Sequence, residues 1–148
     1  MPELPTNVIT LAQRADEAPL RRLVEEHGSP LLVLDCDAMR RKYRELRAAL
    51  PSVGLYYAIK SLPHPDALAT LAAEGASFDV ATSGELDLLR GIGADPAATI
   101  HTHPIKRERD IRDALDFGCT VFVVDNIDEL AKFEAFGAQA RLLLRVSY

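Results

Sequence analysis

The sequence predicts an α/β fold in which strands and helices alternate around a parallel sheet. Apolar strand candidates begin near residues 54, 77, 99, 120 and 141, so they recur every 21 to 23 residues. A helical pattern lies between each pair of neighbouring strands, and a glycine follows each helix, as is common at helix ends. This alternation at a fixed period indicates right-handed βαβ units, whose strands lie parallel in one sheet.

Residues 1–28 are predicted to form an N-terminal arm and helix that precede the repeat. Prolines interrupt residues 1–15, to which we assign no regular structure. From Ala15 to Glu26 the apolar residues recur at the spacing of one helix face, and Gly28 follows as the residue that ends the helix. Residues 29–148 are predicted to form the second unit, which contains the sheet.

The second unit begins with a short strand and a helix before the periodic part. Leu31–Leu34 is continuously apolar, which is typical of a short strand. Asp35 or Asp37 then provides the N-cap of a helix that runs to about Leu50, with apolar residues on one face and basic residues on its solvated face.

The periodic part predicts roughly the first half of a barrel. A leucine-rich repeat has a similar period, but its asparagine-containing consensus is absent here. An open doubly wound sheet and a (β/α)8 barrel are the two alternatives, and the barrel needs eight units in about 250 residues. The chain of 148 residues supplies four complete units and a fifth strand, whose residues are continuously apolar, as in strands buried on both faces. The predicted helices are Pro65–Glu74, Ser83–Gly91, Glu108–Phe117 and Ile127–Phe136.

Composition argues against several functional classes. The formal net charge of −5 disfavours a nucleic-acid or anionic-membrane surface. No apolar stretch approaches the roughly 20 residues that span a bilayer, and the N-terminus lacks the features of a signal peptide. Cys36 and Cys119 form no paired motif, so a cytoplasmic location is the default expectation. His64, His101 and His103 lack metal-ligand spacing, so they are expected to be structural or solvent-facing and no metal site is predicted.

Polar residues follow or interrupt the apolar strands near the ends where barrel active sites lie. Lys60 ends one predicted strand, Asp79 interrupts the next, and Arg145 follows three leucines. Lys60 either reaches water at the rim or is a partly desolvated amine that forms a Schiff base with a carbonyl. Lys106 is expected either at the same mouth or solvated at the start of a helix. A lysine, an aspartate and an arginine at one mouth would suit an anionic, carbonyl-bearing cofactor.

A set of short motifs carries a family resemblance. Tyr57–Lys60 is similar to a Tyr-Ala-Val-Lys strand, and Phe78–Leu86 to the signature Phe-Asp-Val-Ala-Ser-x-Gly-Glu, with Thr82 in place of serine. His103–Lys106 is similar to Asn-Pro-x-Lys, with histidine in place of asparagine. On these motifs the chain resembles, over about residues 18 to 148, the fold-type III pyridoxal phosphate (PLP) decarboxylases, which act on ornithine, lysine, arginine and diaminopimelate. Further similar segments are 29–35, 124–130 and 144–146.

The resemblance implies a (β/α)8 TIM-type barrel of the alanine-racemase-like fold, with the family's C-terminal β domain absent from this chain. It implies that Lys60 holds PLP as a Schiff base, with Asp79 beside it and Glu85 supporting it from the next turn. It also implies that Arg145 and Ala58 are cofactor-binding residues.

The resemblance further implies PLP-dependent decarboxylation of a basic or diamino acid, in polyamine or amino-acid metabolism, by a homodimer. In the family, the histidine that stacks on the cofactor, the phosphate loop and the partner of the ring nitrogen come from later strands. Activity therefore needs the missing half or a second polypeptide. Two alternatives stay open: another fold-type III PLP protein, racemase-like or a PLP carrier, and a non-catalytic decarboxylase-like regulator. Ser61–Pro65 departs from the racemase pattern, and Phe78–Leu86 favours the decarboxylase.

Overall fold

The computed structural model describes residues 17–146, which form one parallel five-stranded sheet with helices packed on one face. The strands lie in the sheet in the same order as in the sequence, and each is parallel to its neighbour. A doubly wound sheet reverses its strand order, whereas a (β/α)8 barrel does not. The observed order is therefore that of consecutive barrel units.

The described residues contain six α-helices and five strands. The strands are β1 Tyr56–Ala58, β2 Ser77–Val80, β3 Thr99–His101, β4 Val121–Val124 and β5 Arg141–Leu144. The helices are α1 Glu17–His27, α2 Cys36–Ala49, α3 Pro65–Ala73, α4 Ser83–Gly91, α5 Glu108–Phe117 and α6 Ile127–Ala131. The predicted alternation of strand and helix is thus confirmed.

Local sequence signals explain most of the helix boundaries. Asp35 is the N-cap of α2, because its Oδ1 accepts a hydrogen bond from the backbone N–H of Ala38 at 2.8 Å. Gly118 ends α5 with a φ of 104°, a left-handed conformation that favours glycine. A Cβ at this position would lie 2.7 Å from the Cβ of Pro96, so the site also needs glycine for space.

One predicted element is wrong and another is wrong in part. Leu31–Leu34 forms no strand, since no neighbouring strand within residues 17–146 pairs with it, and Leu32 is 84% exposed. Helix α6 ends at Ala131, five residues before its predicted end at Phe136. The chain there tightens into turns with i to i+3 hydrogen bonds, such as Phe136 N–H to Phe133 O at 3.0 Å. The predicted start of α1 at Ala15 lies outside the described residues, and the domain boundary near residue 28 stays a prediction.

The core lies between the helices and one face of the sheet. Alternate residues are buried in β2 and β4, so the expectation that the strands are buried on both faces is wrong for the described chain. Side chains alternate between the two faces of a strand, and only the face toward the helices is closed. The buried apolar cluster includes Leu68, Leu71, Phe78, Val80, Leu86, Leu89, Ile111, Ala114, Phe122 and Val124.

His101 is part of this core, which confirms a structural position for it. It is 1% exposed, and its ring stacks on Phe122 with 5.8 Å between centroids. Its Nδ1 is buried and has no hydrogen-bond partner in the described part of the chain. Burial, and secondarily the positive charge of Lys106, lowers the pKa of His101 from 6.5 to about 4.

Stability is therefore expected to depend on pH through His101. The unfolded chain takes up a proton near pH 6.5, while the folded chain resists it until about pH 4. The contribution of His101 to the free energy of unfolding is therefore at its maximum above about pH 7. It decreases by about 3 kcal/mol as the pH falls to about 4. Urea denaturation at a series of pH values measures this slope, and His101→Phe is expected to flatten it. If the free energy of unfolding depended on pH in the same way in both proteins, the lowered pKa would not belong to His101.

Candidate active site

An open cavity of about 510 Å³ lies at the carboxyl ends of the strands. All five strands, or the turns that follow them, contribute to it. This is the end at which the active sites of (β/α)8 barrels are found. The residues that line it are Lys60, Ala81, Thr102, His103, Pro104, Val123 and Arg145.

The strand register explains why these residues meet. Ala58 pairs with Asp79, and Val80 pairs with His101, in parallel ladders. Because side chains alternate along a strand, residues two positions apart share a face. Ala81 and Thr102 therefore follow one position beyond the paired Val80 and His101, on the face opposite to the helices.

Lys60 and Arg145 bring their charges to this cavity from its two sides. Lys60 lies in a 3-10 turn, Ile59–Ser61, because β1 ends at Ala58; the prediction that the strand ends on Lys60 is corrected accordingly. Arg145 extends the ladder beyond β5, since its N–H donates to Val124 O at 2.8 Å. Both side chains are exposed, and within residues 17–146 neither has a hydrogen-bond or ion-pair partner.

Asp79 and Ala58 form the layer next to the cavity and do not line it. The hydroxyl of Thr102 donates to Asp79 Oδ1 at 2.5 Å, so the carboxylate is tied to a residue that does line the cavity. Cofactor contact by Asp79 and by Ala58 stays a prediction. The structure places both in the strands that support the cavity floor.

Glu85 acts on the cavity through the backbone. Its side chain is almost fully buried, and its Oε2 accepts a hydrogen bond from the N–H of Ala81 at 2.6 Å. Its own N–H donates to Oγ1 of Thr82, the N-cap of α4, at 3.3 Å. Glu85 therefore fixes the backbone of a cavity-lining residue, while its predicted support of Lys60 and its role toward a cofactor stay predictions.

Three residues at the third strand end were not predicted as site residues. Thr102 and Pro104 line the cavity, and so does His103, whose Nδ1 accepts the N–H of Ile105 at 3.2 Å. Thr102 could have been identified from the alternation of side chains along β3, because it lies two residues after Ile100 and so shares its face. Lys106 is neither at the mouth nor solvated, because it is 2% exposed and does not line the cavity.

The charges of the cavity define the ligand that it suits. Lys60 and Arg145 are positively charged, and no residue in the cavity lining carries a carboxylate. A lysine amine in its uncharged form condenses with a carbonyl group to a Schiff base, and a nearby guanidinium attracts acidic groups. Within residues 17–146 no group of three histidine, cysteine, aspartate or glutamate side chains could hold a metal ion, and no helix there is long and apolar enough to cross a membrane.

Comparison with known proteins decides the family. The family described as "Pyridoxal-dependent decarboxylase, pyridoxal binding domain" matches residues 36–148, which is well over half of the chain. The chain belongs to this family. Lysine/ornithine decarboxylase of Selenomonas ruminantium is 32% identical over 134 residues, covering 90% of this chain and 34% of that protein. Diaminopimelate decarboxylase of Actinosynnema pretiosum is 34% identical over 131 residues, covering 87% of this chain and 30% of that protein.

Solved structures of the family agree with the fold. A lysine/ornithine decarboxylase from Vibrio vulnificus, complexed with cadaverine, is 53% identical, with a TM-score of 0.86 over 93% of this chain and 38% of that one. The Selenomonas enzyme in complex with PLP and cadaverine is 32% identical, with a TM-score of 0.84 over 91% of this chain and 35% of that one. The predicted fold is thus confirmed as the N-terminal part of a fold-type III barrel. This chain spans about a third of the length of its relatives.

Proposed function

We propose that this chain provides the N-terminal half of the barrel of a PLP-dependent decarboxylase, and that Lys60 Nζ carries the cofactor covalently. The observation that carries the proposal is the amine of Lys60, which is exposed, has no partner among residues 17–146 and shares a cavity with Arg145. Membership in a family of pyridoxal-binding domains supports the choice of cofactor. The residues present fit the aldehyde and the acidic groups of PLP, since the cavity offers an amine and a guanidinium.

Each residue then has a distinct task. When bound, PLP supplies the electron sink that makes loss of CO2 from an amino acid possible. The amine of Lys60 would hold the cofactor in the cavity through its aldehyde group. The guanidinium of Arg145 binds an acidic group of the ligand, while Thr102 keeps the Asp79 carboxylate oriented beneath the cavity. Glu85 holds the backbone of Ala81 in place.

The proposed substrates are lysine and ornithine. The relative with 53% identity is a lysine/ornithine decarboxylase whose structures are complexed with cadaverine and with putrescine. These ligands are the decarboxylation products of lysine and ornithine. Diaminopimelate is the alternative substrate, because a diaminopimelate decarboxylase is 34% identical to this chain.

The remaining parts of the site are also proposals. The rest of the barrel comes from a further segment or from a second polypeptide, and two copies of the complete protein form a homodimer. A reduced cytoplasmic location accords with this activity and stays a prediction.

A direct assay tests the function. The complete protein, with its remaining barrel segments and PLP, is incubated separately with L-lysine, L-ornithine, L-arginine and meso-diaminopimelate, and CO2 and amine products are measured. Cadaverine and putrescine are the expected main products, and Lys60→Ala is the control. PLP binding without release of CO2 from any substrate would contradict the proposal and favour the PLP carrier, whereas failure to bind PLP would favour the non-catalytic regulator. Racemised amino acid in place of the amine would favour the racemase-like alternative.

A further inference from the structure

Lys106 has an unusual environment for a lysine. Its side chain is fully buried, with 0% exposure, although the residue lies only two positions before the start of α5. Its Nζ donates three hydrogen bonds to backbone carbonyl oxygens: His103 O at 2.9 Å, Pro104 O at 3.1 Å and Val123 O at 2.7 Å. All three donor hydrogens of the ammonium therefore have partners in the protein.

The three acceptors belong to the wall of the candidate active site. His103, Pro104 and Val123 are three of the seven residues that line the cavity. Two of them lie in the loop after β3, and the third lies in β4. One buried ammonium thus ties the loop of one unit to the strand of the next, from behind the cavity wall.

A buried carboxylate completes this network. Glu129 is 3% exposed, its Oε2 lies 3.6 Å from Lys106 Nζ, and the same oxygen accepts the backbone N–H of Lys106 at 3.1 Å. Lys132 donates to Lys106 O at 2.8 Å and also to Glu129. Burial lowers the pKa of the Lys106 ammonium, and the charge of Glu129 opposes that shift. The ammonium of Lys106 and both carboxylate oxygens of Glu129 thus have hydrogen-bond partners.

Stability alone explains such a network poorly. An ion pair taken out of water loses much of its hydration, so apolar side chains of similar volume often stabilise a fold as well or better. What an apolar side chain cannot do is hold three carbonyl groups in fixed directions. The contribution that is specific to the ammonium is therefore to fix the positions of the residues whose carbonyl groups it binds.

We propose that Lys106 is a positioning residue of the active site, which holds His103, Pro104 and Val123 so that the cavity wall presents the ligand to Lys60. The inference rests on the proposed function. Loss of the ammonium would release the loop after β3 from β4, and the bound cofactor and substrate would lose their alignment. A misplacement of about 1 Å at a reacting centre can reduce a rate by about 100-fold.

The test separates positioning from stability with three variants of the complete protein. Lys106→Met keeps the apolar stem and removes the ammonium, which leaves Glu129 buried without its partner. Lys106→Met combined with Glu129→Gln also removes that uncompensated charge. Leu71→Ala is the control for destabilisation, because Leu71 is 4% exposed in the last turn of α3 and does not line the cavity.

The measurements are melting temperature, the Kd for PLP, kcat and KM per PLP-loaded site, and hydrogen exchange of peptides covering residues 102–105. We expect Lys106→Met to lower Tm by roughly 10 °C, and the double variant to recover most of that loss. Both are expected to show about 10-fold faster exchange in the loop and about 100-fold lower kcat/KM. Leu71→Ala is expected to lower Tm while its loaded sites keep the kinetics and the loop exchange of the unmodified protein.

The double variant decides the outcome if Lys106→Met alone does not fold. A double variant with recovered Tm, unchanged loop exchange and unchanged kcat, KM and Kd would overturn the proposal, because Lys106 would then be structural only. Failure of the proposed function looks different. In that case the unmodified protein releases no CO2, while the exchange of residues 102–105 still reports whether Lys106 fixes the wall.

Discussion

Replacing Lys60 by alanine is expected to abolish decarboxylation, with kcat reduced by about 10⁴-fold or more. The amine is the only group on this side chain that can carry the cofactor covalently, and an alanine leaves PLP held by noncovalent contacts alone. The same substitution is expected to change the free energy of unfolding by less than about 0.5 kcal/mol, since Lys60 is exposed and has no partner among the described residues. The two effects together separate a chemical role from a structural one.

The measurement combines steady-state rates with the visible absorbance of lysine-bound PLP. Lys42→Ala is the matched control, because Lys42 is an exposed lysine in α2 whose ammonium pairs with Glu45, away from the cavity. Lys42→Ala is expected to retain both the absorbance and the rate. Activity within about 10-fold of the unmodified protein in Lys60→Ala would contradict the assigned role.

Phe122→Ala is expected to destabilise the fold by about 3–5 kcal/mol. Phe122 is 0% exposed in β4, and its ring contacts Phe133 with 5.1 Å between centroids and His101 at 5.8 Å. Truncation would remove an aromatic side chain from the centre of the buried cluster and leave a cavity that the rigid sheet cannot close. An effect of this size is a large part of the stability of an ordinary domain.

Chemical denaturation measures this loss, with Leu32→Ala as the reference. Leu32 is 84% exposed, so its truncation is expected to cost less than about 0.5 kcal/mol. If Phe122→Ala and Leu32→Ala were equally stable, the core described between sheet and helices would be wrong.

The fold was predictable where local and long-range signals agree. The spacing of 21 to 23 residues placed all five strands, and the bounds of Glu108–Phe117 were predicted as observed, because an apolar face and a left-handed glycine both mark that helix. Leu31–Leu34 was mispredicted since a strand needs a hydrogen-bonding neighbour as well as apolar residues. Pattern alone cannot supply that neighbour.

The candidate site was also predictable only in part. Lys60 and Arg145 were predicted to lie at one mouth because a charge at the end of an apolar strand needs a reason, and both line the cavity, while their cofactor contacts stay predictions. The burial of Lys106 could not be predicted, because one of its acceptors, Val123 O, lies 17 residues further along the chain. Only the pairing of β3 with β4 brings that carbonyl close to the ammonium.

The most direct test of the central claim is to locate the lysine that carries PLP. The complete protein is incubated with PLP, reduced with borohydride and digested, and the pyridoxyl group is mapped by mass spectrometry, with Lys60→Ala in parallel. We predict one main labelled site, Lys60, and no corresponding label in the variant. A folded protein labelled mainly on other lysines, or not labelled at all, would contradict the claim that this cavity is a pyridoxal phosphate site.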